Sequence, residues 1–349
     1  MGGHRGAGGY FIAQLLSLEG CYWSKYRYLW CAFIVMKFTT ENVKERALVK
    51  EQWPIELRGG LPLVFSPLLK RFSNLAHAFS TRKGGASKPP FDSFNVGINH
   101  TTDEETRRDA RSNRVLLCQS LNKSSEHLIT AERLVHSADV VMLETVGKPG
   151  EVDGIVTRTT ARPLYMTYAD CVPVIIYDTV KHVLCLVHAG WRGTASGISA
   201  EAVRFMVKEC NSQVGDLVAA VGPAIGSCCY PVGCDVVLAL MSTFTDSFKM
   251  YQQELDEYAN ESNESELISK IWLLIEKLGL EGFFIRGLKQ IHVDLKAINA
   301  YQMLSLNVSH IDVTHFCTAC EKDLFYSFRR SYVNQEGNTG RQAAIACLL

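Results

Sequence analysis

Two short apolar runs rich in β-branched residues lie near the middle of the chain, and a polar joint separates them. The runs are residues 174–177 and 183–187, and the joint is residues 178–181. Apolar runs of this length on either side of a short polar segment are typical of two antiparallel strands. The pattern therefore predicts a β-hairpin.

The register of this hairpin decides which side chains meet at its open end. If the turn is centred between Thr179 and Val180, Cys171 and His188 lie directly opposite each other. Opposite side chains have Cβ atoms about 4.5–5.5 Å apart, a gap that a metal ion bound to one sulfur and one nitrogen fits. We therefore expect two metal ligands at this point.

Periodicity also predicts elements on both sides of the hairpin. A helix is expected over residues 194–210, and another follows Asn263, which with Glu266 forms an N-cap and capping-box pair. Further helices are predicted at 102–119 and 292–307. Strands are predicted at residues 76–81, 133–141, 152–157, 217–221, 310–317, 324–329 and 342–349.

The composition is that of a globular protein, since 47% of the 349 residues are hydrophobic and 21% are charged. Thirty-six basic and 36 acidic side chains give no net charge. No long block of Lys or Arg is present to follow a phosphate backbone. These features argue against a nucleic-acid partner.

The first 67 residues are predicted to form an N-terminal extension with no part in catalysis. Its apolar runs, residues 10–18 and 29–36, are separated by Lys25 and Arg27. Both are shorter than the roughly 20 residues that a membrane span needs, and no small-residue cleavage site follows the first run. We expect a cytoplasmic protein without membrane association; targeting to an organelle stays an open alternative.

Twelve cysteines at irregular spacings indicate reduced thiols rather than a disulfide framework. Cys228 and Cys229 are adjacent and therefore poorly suited to a mutual disulfide. Cys317 and Cys320 form a C-x-x-C motif, but no second such motif is present to complete a four-thiolate zinc site. Burial for structural reasons is the favoured interpretation of this pair.

His136, Cys171 and His188 form the candidate centre, for which three interpretations are open. As ligands of one metal ion, they leave a fourth tetrahedral position for water or substrate, as catalytic zinc requires. Alternatively, Cys171 is a nucleophile that an adjacent histidine activates. In the third interpretation Cys171 is a small buried residue and His188 merely satisfies a turn. The neighbouring Asp170, Trp191 and Arg192 favour a functional site.

Cations beside glycines indicate where an anion could bind. Arg82 and Lys83 precede Gly84 and Gly85, so backbone N–H groups and positive charge can approach an anion together. A glycine turn on a solvated loop explains this pattern equally well. Arg192 lies between the hairpin and the next predicted helix, where N–H groups at a helix start can meet an anion.

Seven short motifs, taken together, resemble the YfiH-like, laccase-domain family. The likeness covers about residues 68–349, with residues 250–287 as a predicted insertion. The motifs are His-Ala-Gly-Trp-Arg-Gly at 188–193, Ala-Asp-Cys-Val-Pro at 169–173, Val-His at 135–136, Phe-Ser-Thr-Arg-Lys-Gly-Gly at 79–85, Gly-Pro-Ala-Ile-Gly at 222–226, Cys-Thr-Ala-Cys at 317–320 and Thr-Gly-Arg-Gln at 339–342.

The resemblance implies a single layered α/β domain with mixed β-sheets flanked by helices. It also implies a zinc ion held by His136, Cys171 and His188. The implied activity is phosphorolysis of adenosine, inosine and methylthioadenosine, together with deamination of adenosine. Nucleosides and phosphate are then the partners. One departure from the family is Leu134, which stands where Gln is usual.

These implied reactions suggest roles for the charged residues near the motifs. We expect Arg82 and Arg192, with Lys83, to hold phosphate. Deamination needs a proton carrier, and Asp170 is the candidate, although orienting a ligand or a turn explains this residue equally well.

Three rival functions are considered. The older family name suggests a copper polyphenol oxidase, but the ten histidines include no His-x-His pair, which multicopper oxidases use repeatedly. A cysteine-dependent amide hydrolase would use Cys171 directly. A non-catalytic scaffold would use the same loops only to bind a partner.

Overall fold

The hairpin is present as two buried antiparallel strands, β8 (Val172–Asp178) and β9 (Val183–Ala189). The computed structural model describes residues 48–49, 52–98, 103–131, 133–144, 150–244, 263–335 and 337–349. Residues 1–47 of the predicted extension and the first part of the predicted insertion, up to residue 262, lie outside the described residues. The described residues form one compact unit.

The predicted register of this hairpin is wrong by two residues, because the turn is centred one residue later than expected. His188 pairs with Pro173, not with Cys171. The side chain of Asp178 accepts hydrogen bonds from the N–H groups of Val180 (3.0 Å) and Lys181 (2.8 Å). These bonds close a four-residue loop over 179–182 and move the turn centre one residue towards the C-terminus.

The hairpin is central in a mixed seven-stranded sheet with the order β1-β14-β10-β8-β9-β6-β5. Strands β10 and β14 run parallel to each other, whereas β8 pairs antiparallel with β10. The other strands of this sheet are β1 (Leu48–Val49), β5 (Val140–Met142), β6 (Gly154–Thr157), β10 (Leu217–Val221) and β14 (His310–Val313).

A five-stranded sheet with the order β2-β3-β4-β15-β7 packs face to face against the first. The predicted domain start at residue 68 falls inside this sheet, between β3 and β4. Since Leu61 and Leu63 of β3 are buried, these strands are part of the folded unit. The strands are β2 (Ile55–Arg58), β3 (Leu61–Val64), β4 (Leu75–Ser80), β7 (Leu164–Tyr168) and β15 (Gln342–Leu348).

Alternate residues of the two sheets form the core between them. Ile175 and Leu186 of the hairpin meet Phe79 and Met166 of the opposite sheet. This alternation is the period expected of strands that bury one face against another sheet. The fold is therefore the predicted layered α/β arrangement, with mixed sheets inside and helices outside.

Helices cover the outer faces of both sheets. Helix α1 (Glu104–Ser120) packs Leu117 and Cys118 on the five-stranded sheet. Helices α3 (Ile198–Cys210) and α6 (Leu295–Ser305) pack on the seven-stranded sheet. The predicted helix over 194–210 is divided, because Gly197 has a φ of 79° and separates α2 (Trp191–Ala195) from α3.

Smaller elements complete the described fold. The N-cap predicted at Asn263 is confirmed, since its side chain accepts hydrogen bonds from the N–H groups of Ser265 and Glu266. The remaining elements are α4 (Cys234–Met241), α5 (Glu264–Lys277), α7 (Phe328–Val333) and a three-stranded sheet of β11 (Pro231–Val232), β13 (Ile291–Val293) and β12 (Phe284–Arg286).

Two predicted strands are wrong. Residues 328–333 form helix α7, because Ser327 acts as its N-cap and accepts a hydrogen bond from the N–H of Arg330. Residues 133–139 form a bent segment, and the strand begins only at Val140. Within the described ranges, no helix has the length and apolar character needed to cross a membrane.

Candidate metal centre

His136, Cys171 and His188 come together from three separate segments. His188 lies on β9, Cys171 directly precedes β8, and His136 lies in the bend before β5 with a φ of 62°. One ligand atom from each residue lies within 4.8 Å of the others. Cys171 Sγ and His136 Nε2 are 3.8 Å apart. Folding thus gathers three side chains that are well separated in sequence.

Cys171 and His188 meet diagonally rather than directly across the hairpin. Since Val172 pairs with Ala189, Cys171 lies opposite Gly190, and His188 is two positions away on the same face. A shift of two residues keeps every side chain on its original face, whereas a shift of one would have placed the two ligands on opposite faces. The centre therefore forms despite the different register.

Gly190 makes room for the other two ligands. A Cβ atom at this position would lie 2.3 Å from Cδ2 of His136 and 3.3 Å from Sγ of Cys171. The first distance is far inside van der Waals contact. The absence of a side chain at the end of β9 is therefore a requirement of the site.

Asp153 connects the segments that carry the two histidines. Its Oδ1 lies 2.9 Å from Nδ1 of His188. Its Oδ2 accepts hydrogen bonds from the N–H groups of Val135 (3.1 Å) and Ser137 (2.7 Å), on either side of His136. A carboxylate bonded to one ring nitrogen orients the other towards a metal. Asp153 therefore positions both histidines.

The charges in the cluster favour a thiolate. Burial raises the pKa of Cys171, but the positive charge of His188 and hydrogen bonds with both histidines outweigh burial and lower this pKa to about 6. Burial lowers the pKa of His188, but the Cys171 thiolate and Asp153 raise it to about 9. Burial likewise raises the pKa of Asp153, and its hydrogen bond to His188 lowers it below the usual value. At neutral pH the sulfur is thus in the form that binds metals.

The donor set fits a single zinc ion. Zinc binds imidazole nitrogen at about 2.0–2.1 Å and thiolate sulfur at about 2.3 Å, so tetrahedral ligands lie about 3.6 Å apart. The 3.8 Å between Cys171 and His136 is close to this value. His188 is buried, Cys171 is half-buried and His136 is exposed, so a bound ion would be accessible from the side of His136.

Hydrogen bonds from neighbouring residues occupy both carboxylate oxygens of Asp170. Its carboxylate accepts hydrogen bonds from the Thr318 hydroxyl (2.6 Å), the Ser327 hydroxyl (3.0 Å) and the Arg329 N–H (2.6 Å). Burial raises the pKa of Asp170, although these bonds favour the charged form. The residue holds the start of α7 against the segment that carries Cys171.

Arg192 lies next to the centre, at the start of α2. Its guanidinium carbon is 4.2 Å from the ring centre of Trp191, and its charge acts on the Tyr230 hydroxyl. Among the described residues, no carboxylate forms an ion pair with Arg192. Arg192 is therefore an exposed cation two residues after Gly190, the glycine that packs against His136 and Cys171.

Arg82 and Lys83 line a separate polar cleft of about 250 Å³. The Arg82 guanidinium donates hydrogen bonds to the carbonyl oxygens of Asp92 and Lys322 and stacks on the Tyr326 ring. None of the three candidate ligands lines this cleft. Its lining residues are Arg82, Lys83, Asp92, Ser93, Lys322 and Asp323.

Two residues of the site, Asp153 and Arg341, were not singled out by sequence reasoning. Asp153 is in a Val-Asp-Gly segment that signals only a turn into a strand. Arg341 lies within one of the family motifs, and the charges of Cys171 and Asp170 act on it. Leu134 packs against the core between the sheets, so the substitution of the usual Gln adds an apolar contact beside His136.

Comparison with known proteins places these observations in a family. The sequence profile described as multi-copper polyphenol oxidoreductase laccase matches residues 76–282 and 280–349. Purine nucleoside phosphorylase YlmD of Geobacillus stearothermophilus is 32% identical over 288 residues, which are 78% of this chain and 90% of that protein. Human purine nucleoside phosphorylase LACC1 is 30% identical over 180 residues, or 50% of this chain and 40% of that protein.

Solved structures agree with the sequence relatives. YlmD from Geobacillus stearothermophilus superposes with a TM-score of 0.67 at 30% identity, covering 85% of this chain and 98% of that one. Bacillus licheniformis YfiH gives a TM-score of 0.64 at 27% identity, covering 82% and 96%. The chain therefore belongs to the YfiH-like family whose profile is described as multi-copper polyphenol oxidoreductase laccase, which confirms the resemblance found in its motifs.

Proposed function

We propose that this chain is a purine nucleoside phosphorylase that acts at a zinc ion held by His136, Cys171 and His188. It converts adenosine, inosine or methylthioadenosine and phosphate to the free base and the corresponding ribose 1-phosphate. The observation that carries the proposal is the convergence of the three ligand atoms within 4.8 Å in a chain whose relatives are named purine nucleoside phosphorylases.

The reaction separates an electron-deficient sugar from a base that leaves with negative charge. Zinc, when bound, supplies a Lewis acid that stabilises negative charge in the reacting groups. Asp153 holds His188 and the His136 segment in the orientation that binding requires. Preorganised groups of this kind lower the barrier because they need no rearrangement during the reaction.

Phosphate needs a cation near this centre. We assign this role to Arg192, which is exposed at the start of α2, four residues after His188, and whose guanidinium lies over the Trp191 ring. Arg82 and Lys83 are included in the same proposal as a second candidate anion site, because both cations line the separate polar cleft. An arginine suits phosphate because its planar donors match two oxygens at once.

Kinetics with varied phosphate test these assignments. Loss of a charge-assisted hydrogen bond costs about 1.5–3 kcal/mol, so Arg192→Ala is expected to raise the phosphate KM about tenfold or more. Arg82→Ala tests the cleft in the same way. Arg108→Ala, at an exposed arginine on α1, is the matched control. An unchanged phosphate KM in both test variants would remove the assignment of phosphate to these residues.

Adenosine deamination is proposed as a second reaction of the same centre. It requires proton transfer to the departing amine. Since both carboxylate oxygens of Asp170 accept hydrogen bonds from Thr318, Ser327 and Arg329, we assign Asp170 to positioning Cys171 rather than to proton transfer. Inosine formed from adenosine without phosphate is the expected signature of this reaction.

A cysteine-dependent amide hydrolase is the second candidate, and the lowered pKa of Cys171 beside His188 favours it. Metal analysis of the purified protein and of Cys171→Ser separates the two. Zinc that is lost on substitution supports the metal centre. A zinc-free protein that a thiol reagent inactivates supports the hydrolase. Two histidines and one cysteine also suit copper, so stoichiometric copper with blue absorption would instead support a polyphenol oxidase.

A further inference from the structure

A second group of metal-binding side chains lies outside the centre already described. Cys228, Cys229, Cys317 and Cys320 place their four sulfur atoms within 4.8 Å of one another. The Sγ of Cys320 is 3.4 Å from that of Cys228 and 3.3 Å from that of Cys229. The sequence lacks a second C-x-x-C motif, but the fold supplies the missing pair from adjacent cysteines almost 90 residues earlier.

Backbone contacts bring the two cysteine loops together. Ala224 and Cys317 form an isolated parallel bridge, and the Thr318 N–H donates to the Ala224 carbonyl (3.0 Å). The Gly226 N–H donates to Sγ of Cys317 (3.2 Å). A Cβ at Gly226 would lie 3.2 Å from Sγ of Cys228 and from Cβ of Cys317, so glycine allows the backbone to approach both sulfurs.

The spacing of the sulfurs is that of metal ligands. Four thiolates around one zinc ion, with bonds of about 2.3 Å, lie about 3.8 Å apart. A disulfide would need a separation of about 2.05 Å and would use only two of the four atoms. Four sulfurs around one point with no nitrogen or oxygen ligand are typical of zinc or iron. Because all four sulfur atoms lie within 4.8 Å of one another, they fit around one ion rather than around a larger metal cluster.

We propose that Cys228, Cys229, Cys317 and Cys320 bind one zinc ion in a closed four-thiolate site. Zinc with four protein ligands has no open position and stabilises structure rather than reacting. Cys317 is buried, whereas Cys228 and Cys320 are exposed. The ion can therefore enter from the solvent side and then tie the loop of Cys228 and Cys229 to the loop of Cys317 and Cys320.

The second site supports the first through Asp170. The Ile225 N–H donates to the Asp170 carbonyl (3.0 Å), and the Thr318 hydroxyl donates to the Asp170 carboxylate (2.6 Å). Ile225 and Thr318 belong to the two loops that the four cysteines join. Asp170 directly precedes Cys171. The zinc ion at the four cysteines thus holds in place the backbone that presents Cys171 to the first centre.

Elemental analysis of the full-length protein, purified under reducing conditions, tests this site. Cys228→Ser combined with Cys320→Ser is expected to lose one zinc per chain relative to the wild type. Cys234→Ser, at a half-buried cysteine outside the group, is the control and is expected to lose none. His188→Ala is expected to keep the zinc of the four-thiolate site, so failure of this proposal is distinct from failure of the proposed function.

A spectroscopic measurement avoids dependence on the folding of a variant. Cobalt added to metal-free His188→Ala is expected to give intense thiolate-to-cobalt charge-transfer absorption, and the single Cys320→Ser change in that background is expected to reduce it. The proposal is overturned if the cysteine variants keep the wild-type zinc content, if iron alone occupies the site, or if mass spectrometry of the native protein shows a disulfide among these residues.

Discussion

Asp153 is the residue on which the geometry of the first centre depends most. It is buried, and its two oxygens divide between His188 and the backbone around His136. The three candidate ligands could be proposed from the sequence, because the hairpin pattern brings Cys171 and His188 to one point and the family motifs include all three residues. Asp153 was not identified, because a carboxylate between a valine and a glycine has no local feature that reveals a partner 35 residues away.

Replacement of Asp153 by Asn is expected to weaken zinc binding about 10–100-fold. The amide keeps one acceptor oxygen but presents NH₂ to either His188 or the backbone N–H groups, so one set of contacts is lost. Competition with a chromophoric chelator measures the affinity. Asp139→Asn, at a nearby exposed carboxylate, is the control. Equal zinc affinity in the two variants would contradict the positioning role of Asp153.

At the scale of elements, the hairpin shows what periodicity can and cannot predict. The two strands were predicted correctly, because runs of β-branched residues on either side of a polar joint have few alternatives. The register was predicted wrongly, because it depends on whether the Asp178 side chain accepts hydrogen bonds from the N–H groups of Val180 and Lys181. A shift of two residues leaves each side chain on the same face of the sheet, so the error in register did not change which candidate ligands share a face.

The junction of β9 and α2 gives an element-level prediction. Gly190→Ala is expected to abolish zinc binding at the first centre, because the new Cβ would overlap the His136 ring. The backbone at Gly190, with a φ of −70° and a ψ of 171°, accepts alanine without strain, so the effect is local. Zinc content measures occupancy of the first centre, and circular dichroism measures whether the fold is retained.

Gly215→Ala is the matched control, since no atom lies within 4 Å of a Cβ at that position. Normal zinc occupancy at His136, Cys171 and His188 in Gly190→Ala would show that close approach at this glycine is not required.

At the scale of the whole molecule, the motifs indicated the fold better than the local patterns did. Short apolar runs identified several strands, but the division into two packed sheets depends on contacts between distant segments. Residues 55–64 lack a motif of the family, yet they add two strands to the five-stranded sheet. Ser327 caps α7 within a strand-like segment, and its hydroxyl also donates to the carboxylate of Asp170, a partner that is distant in sequence and that no local pattern reveals.

Acid stability provides a prediction at this scale through His77, which is buried in the five-stranded sheet. Burial, with a smaller effect of Lys70, lowers the pKa of His77 from 6.5 to about 3, and its Nε2 accepts a hydrogen bond from the Ser66 N–H. Above pH 6.5 the histidine is neutral whether the protein is folded or unfolded. Between pH 6.5 and about pH 3, only the unfolded chain takes up a proton at this histidine. The free energy of unfolding therefore decreases as the pH decreases.

Between pH 7.5 and 5.5 this group is expected to remove about 1.4 kcal/mol from the free energy of unfolding. His77→Gln keeps an acceptor for Ser66 but does not titrate, so it is expected to lack that part of the pH dependence. Urea unfolding at both pH values measures the difference. Identical pH dependence in the wild type and in His77→Gln would contradict the neutral buried state of His77.

The central claim is that this chain cleaves purine nucleosides with phosphate at the centre formed by His136, Cys171 and His188. Separation of the products formed from adenosine, with and without phosphate, tests this claim most directly, with zinc-loaded wild type and His188→Ala compared side by side. We predict that wild type releases adenine and ribose 1-phosphate only when phosphate is present, forms inosine in either case, and that His188→Ala forms none of these products. Adenine released equally well without phosphate, or no turnover of adenosine by the zinc-loaded wild type, would contradict the claim.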